Sequence, residues 1–91
     1  MSKALLVKDK WDEYVISNEK GIELAALDLL TQRVEDGYWY ENWTRDEAGY
    51  PARLWEDEAK EIAENQDGGR AFAFLMDRSD FEYEYVRVIE I

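Results

Sequence analysis

Apolar and polar positions change their period several times along this chain. Residues 4–7 (ALLV) form a short apolar run, Lys8, Asp9 and Lys10 interrupt it, and residues 11–16 (WDEYVI) form a second, partly alternating run. Two such runs around a charged turn predict a β-hairpin. From Asn18 the period becomes helical: Ile22, Ala25, Ala26, Leu29 and Leu30 fall on one face, and Leu24, Leu27 and Val34 widen it. Asn18 is the expected N-cap and Gly37 the C-terminal stop. A face that broad has to bury against a sheet.

A second helix is expected from Pro51, where a first-turn proline loses no hydrogen bond, to about Asn65. Its spacing turns Trp55, Ala59, Ile62 and Ala63 inward and Glu56, Asp57, Lys60, Glu61 and Glu64 outward. Gly68 and Gly69 are expected to break the chain. Residues 70–77 (RAFAFLMD) then read as a short helix burying Ala71, Phe72, Leu75 and Met76, or as a strand on which Phe72 and Phe74 alternate; the helix is favoured. The tail 81–91 (FEYEYVRVIEI) alternates almost throughout and is the clearest strand. On it Phe81, Tyr83, Tyr85, Ile89 and Ile91 share one face, while Val86 and Val88 lie opposite among Glu82, Glu84 and Glu90, so either face could be partly exposed. The expected fold is a single α+β domain over residues 1–91, in which a small antiparallel sheet, the N-terminal hairpin plus the C-terminal strand, packs against two or three helices.

Composition narrows the picture. Ninety-one residues supply one core, and with no cysteine or histidine that core has neither disulfides nor imidazole or thiolate metal ligands to support it. A thiol-free chain fits a reducing compartment. The first residues (MSKALLVKDKWDE) carry charges every few positions, unlike a secretory signal, and no run approaches a membrane span. The expectation is a cytoplasmic protein without membrane contact.

Charge changes the picture most. The formal net charge is −11, and residues 35–67 hold eleven acids against three bases, Arg45, Arg53 and Lys60. Such a pole repels phosphate backbones and anionic lipid, so direct nucleic-acid binding is disfavoured and a basic partner favoured. The same pole also serves simply as a solubilising surface.

Little in the chain speaks for catalysis. The usual general base and thiolate nucleophile are missing, and Ser2, Ser17 and Ser79 have no triad to join. Carboxylate pairs of the kind that hydrolyse glycosides are too abundant here to be specific, and a sugar cleft is hard to carve from so short a chain. An EF-hand register with Gly68 at the sixth position puts Ala63 first and Phe74 twelfth, where carboxylates are required. Gly68 and Gly69 also lack the context of a phosphate loop. The chain is expected to be no enzyme and to use no cofactor.

The segment 36–58 (DGYWYENWTRDEAGYPARLWEDE) packs three tryptophans and three tyrosines among seven carboxylates. Some of these rings serve the core, Trp55 first. The polar residues between the others mark a surface loop, and rings left outside form an aromatic patch in an acidic field, the composition of an interface that selects basic partners. The candidate partner-binding residues are Trp39, Glu41, Trp43, Asp46, Glu47, Tyr50, Glu56, Asp57, Glu61 and Glu64. Helical spacing places Asp57, Glu61 and Glu64 close to one stripe.

From about Trp55 to the end, and above all in DGGRAFAFLMDRSDFEYEYVRVIEI, the chain resembles the ends of small acidic uncharacterised proteins encoded by bacteriophages of actinobacteria. This part holds no catalytic or binding motif, so the resemblance carries over no site residue. It implies an accessory protein that binds and disables a host protein in the host cytoplasm. Some acidic proteins of this kind imitate duplex charge and block nucleic-acid-binding enzymes, CRISPR effectors among them. The expected function is a non-catalytic inhibitor of a basic, nucleic-acid-binding host protein. The alternative is a structural or assembly protein, a homodimer or virion-associated adaptor joined through aromatic and sheet-edge surfaces.

Overall fold

The computed structural model describes residues 2–9, 12–38, 52–78 and 85–91. In chain order these form strands β1 (Lys3–Lys8) and β2 (Glu13–Ile16), helices α1 (Ile22–Asp36), α2 (Ala52–Glu64) and α3 (Gly68–Asp77), and strand β3 (Tyr85–Glu90). One antiparallel sheet with the order β2-β1-β3 lies against the helices, so the fold is α+β and the C-terminal strand joins the N-terminal hairpin, as expected; the strand it pairs with is β1.

β1 is the central strand and its burial is nearly continuous: Ala4, Leu5 and Val7 are fully buried. Its register sets Leu5 between Ile16 and Val88, and Val7 between Tyr14 and Val86. Leu5, Val7 and Val86 join the core and Tyr14 and Ile16 pack on it, which fixes this as the helix-facing side. On β3, therefore, the valine face turns inward and Tyr85, Arg87, Ile89 and Ile91 take the other side. Sequence alternation alone could not choose between these faces, because both carry apolar residues. On the outer side the Tyr85 hydroxyl donates to Glu13 Oε2 at 2.8 Å, spanning β1, and the Arg87 guanidinium lies 3.9 Å from the Tyr85 ring centre. The hairpin turn is closed by Asp9, whose N–H donates to the Asp12 carbonyl and whose Oδ1 accepts from the Asp12 N–H at 2.7 Å. Trp11, expected within the second strand, lies outside the described residues.

α1 carries the core on its Ala25, Ala26, Leu29 and Leu30 face. Asn18 does not cap it. Gly21 holds the N-cap position with φ 128° and no side-chain cap bond. Asn18 instead shapes the approach, its Oδ1 accepting from the Lys20 N–H at 2.8 Å and its Nδ2 donating to Asp28 Oδ2 at 3.0 Å. An asparagine can satisfy its own local turn as readily as a helix end, so its type alone did not choose between the two positions. Gly37 ends the helix as expected, left-handed at φ 65° with its N–H returned to the last turn. Arg33, absent from the expected core, is only 8% exposed. Its guanidinium lies 4.1 Å from the Tyr38 ring centre, in the turn where a cation also meets the negative end of the helix dipole.

α2 and α3 are joined by a turn that corrects the expected break at Gly68 and Gly69. The reversal is at Gln66, whose positive φ of 50° lets the Asp67 N–H return to the Ile62 carbonyl. Asp67 then N-caps α3, accepting from the Arg70 N–H at 3.1 Å, and both glycines belong to the first turn of that helix. Gly68 is there for space: a Cβ would sit 2.9 Å from the Glu23 carbonyl oxygen of α1. α3 is helical rather than extended, but Phe74 enters the core at 3% exposure, while Phe72 and Met76 are only half-buried. Pro51, the expected helix start, and the Phe81 to Glu84 part of the predicted strand lie outside the described residues.

This packing can be tested at two glycines and two tyrosines. Gly68→Ala forces a Cβ against the Glu23 backbone and should cost about 1–3 kcal/mol in chemical denaturation. Gly69→Ala meets the tip of the flexible Glu23 side chain at 3.1 Å and Asp67 Oδ1 at an ordinary 3.7 Å, and should change stability by no more than about 0.5 kcal/mol. Tyr14 titrates above the ordinary value of 10.0, chiefly because burial disfavours the phenolate, with Arg33 opposing. Tyr85 is raised above the same value by its bond to the Glu13 carboxylate. A raised folded-state pKa gives stability that is complete below the unfolded value and lost as pH rises through the folded one. Melting temperature should therefore fall on the alkaline side of 10.0, and Tyr14→Phe should remove a late component from a tyrosinate absorbance titration.

Candidate acidic interface

α2 is amphipathic in a way that separates two tasks. Ala59 and Ile62 are buried in the core, and Trp55 and Ala63 pack against it. Seven residues of helix separate Asp57 from Glu64, about 10 Å along the axis, and Asp57, Glu61 and Glu64 recur every turn on the exposed side. A stripe of three carboxylates over that length is sparser than one strand of a duplex, with a phosphate per ~3.4 Å. Among the described residues no three carboxylates converge to hold a metal ion; the stripe spreads its charges instead.

The other acids of α2 do different work. Glu56 was expected on the ridge, but its side chain is only 14% exposed and approaches Lys60 Nζ at 3.9 Å along its own helix. It is therefore a poor point of contact for a partner. Glu61 stays on the ridge, since its 3.7 Å pair with Arg70 is open to solvent on both sides and weak. Glu58 turns towards α3, accepting from Arg78 at 2.9 Å. Arg78 also donates to the Phe74 carbonyl at 3.3 Å, and its guanidinium lies 3.8 Å from the Phe74 ring centre and 5.5 Å from that of Trp55. This one cation ties the end of α3 to α2 and holds the carboxylate stripe on a fixed base. An arginine just past a helix end is a readable signal; its partner twenty residues earlier is not.

Of the residues expected to meet a partner, α2 places Asp57, Glu61 and Glu64 together, exposed, and withdraws Glu56. Trp39, Glu41, Trp43, Asp46, Glu47 and Tyr50 lie outside the described residues. Among the described residues no helix is long and apolar enough to cross a membrane.

Replacing Asp57, Glu61 and Glu64 together by lysine should leave the melting temperature within a few degrees of the parent, because none of the three is buried. Arg78→Ala should cost about 2–3 kcal/mol by denaturant titration, since it strips a half-buried carboxylate, a carbonyl and two rings of their shared cation. No family model, no curated protein and no solved structure matches this chain, so a functional reading rests on its own charge and geometry.

Proposed function

We propose that this chain is a non-catalytic acidic binding protein, an inhibitor of the bacteriophage accessory type, that engages the basic surface of a nucleic-acid-binding host protein in the host cytoplasm. One observation carries the reading: Asp57, Glu61 and Glu64 are exposed on one face of a helix whose opposite face is locked into the core. Charges on a fixed scaffold lose little entropy on binding, and a protein evolved to meet regularly spaced phosphates accepts regularly spaced carboxylates as a substitute. The stripe is too short and sparse to imitate a duplex alone. The remaining acids of residues 35–67 supply the rest of the field, and the aromatic residues Trp39, Trp43 and Tyr50 supply apolar anchors.

A structural or assembly role has its own support in the sheet, where Val15 is 51% and Ile91 60% exposed. The two readings differ in their response to salt, because charge-driven association weakens steeply with ionic strength and apolar self-association hardly at all. The immobilised chain should retain a nucleic-acid-binding protein from host lysate at low salt, release it at high salt and release it to added duplex DNA. The lysine triple variant, its net charge raised by six from −11, should retain none. Retention of virion proteins or of further copies of the chain alone, unaffected by salt and DNA, would favour the structural reading instead.

A further inference from the structure

Beside the ridge, between α1 and the end of α2, the surface opens into a groove of about 430 Å³. That is within the range of volumes that take a ligand group, roughly 300–1,000 Å³. Its lining is mixed, with Thr31, Gln32 and Gln66 neutral and polar. Leu27 and Ala63, both half-buried, are apolar, and Asp28 and Glu35, both exposed, are acidic. No lysine or arginine lines it, and among the described residues neither Asp28 nor Glu35 has a cationic partner. Asp28 is held in place by the Asn18 amide, at 3.0 Å.

We infer that this groove receives a basic amphipathic helix of the partner. This rests on the proposed function and extends it, since it names the element recognised. Asp28 and Glu35 are seven residues apart on α1, about 10 Å along its axis. A helix laid alongside α1 presents two lysine or arginine side chains at the same separation when they are also seven residues apart; between them lie Thr31 and Gln32 of α1, and small apolar residues of the guest helix reach Leu27 and Ala63 at the groove's apolar part. Nucleic-acid-binding proteins commonly carry such a helix, because a basic stripe on a helix can track a phosphate backbone. Charge complementarity selects this occupant over an acidic or a wholly apolar one. The groove supplies the apolar contact that the ridge lacks, adding binding that salt does not screen.

The probe is a synthetic helical peptide with lysines seven positions apart and alanine or leucine between them, titrated into the full-length chain while amide resonances are followed. The scrambled sequence of equal charge is the control. The expected result is perturbation centred on Leu27, Thr31, Ala63 and Gln66, with binding at least about tenfold weaker for the scrambled peptide. The isosteric pair Asp28→Asn with Glu35→Gln should weaken binding to a similar degree, and Gln32→Trp, which crowds the exposed rim without altering charge, should weaken it too. Equal binding of the scrambled peptide, perturbation confined to other faces, or parent-like affinity in both variants would overturn the inference. The lysate assay separates the two levels. If the lysine ridge variant loses the host protein while the Asp28→Asn, Glu35→Gln chain keeps it, the groove is wrong and the ridge stands; if both keep it, both readings fail.

Discussion

The burial of α1 governs this structure. Its residues Ala25, Ala26, Leu29 and Leu30 share one core with Leu5 and Val7 of the central strand, and the same helix packs against α2 and α3. Close packing in a chain this short makes each contact of that core count. The positions of the other helices depend on it. α3 starts where Gly68 fits against the Glu23 backbone, and α2 reaches the core through Ala59 and Ile62. Its outward face is then no longer adjustable, and that face carries the acids.

The second organising feature is the division of labour between charges. Arg33, Arg78 and Arg87 all lie over aromatic rings, so much of the positive charge is spent on packing and stapling. Guanidinium groups suit that use, being flat, weakly hydrated and able to stack. Among the carboxylates of α2, Glu58 and Glu56 are drawn into contacts with Arg78 and Lys60, while Asp57, Glu61 and Glu64 remain at the surface. A domain with twice as many acids as bases becomes more one-sided still where Arg33 is buried and Arg78 half-buried. That asymmetry supports association with a basic surface and costs some self-repulsion, which the small core has to offset.

Much of the fold was legible because it rests on period. The β1 run, the helical face of α1 and the inward residues of α2 are all patterns that one face of an element must display when it packs against a core. The features that were not legible depend on something outside their own element. Gly68 looked like a chain break until the backbone of α1 stood next to it. Helical spacing put Phe72 in the core beside Ala71 and Leu75, whereas α3 as packed buries Phe74 and leaves Phe72 half-buried. The inward face of β3 was decided by its register with Val7, since both its faces are apolar. At the interface, exposure of Asp57, Glu61 and Glu64 agreed with helical spacing, whereas Glu56 sits one residue around the helix, far enough to be covered.

The central claim is that a partner lies across the acidic face of α2 and the adjoining helices. Hydrogen exchange of the chain, free and in complex with the host protein it retains, tests this most directly. The account predicts added protection in α2 and in the facing part of α1, with exchange in β2 and β3 unchanged. Protection gained instead along β2 or β3, with α2 exchanging as in the free chain, would contradict it.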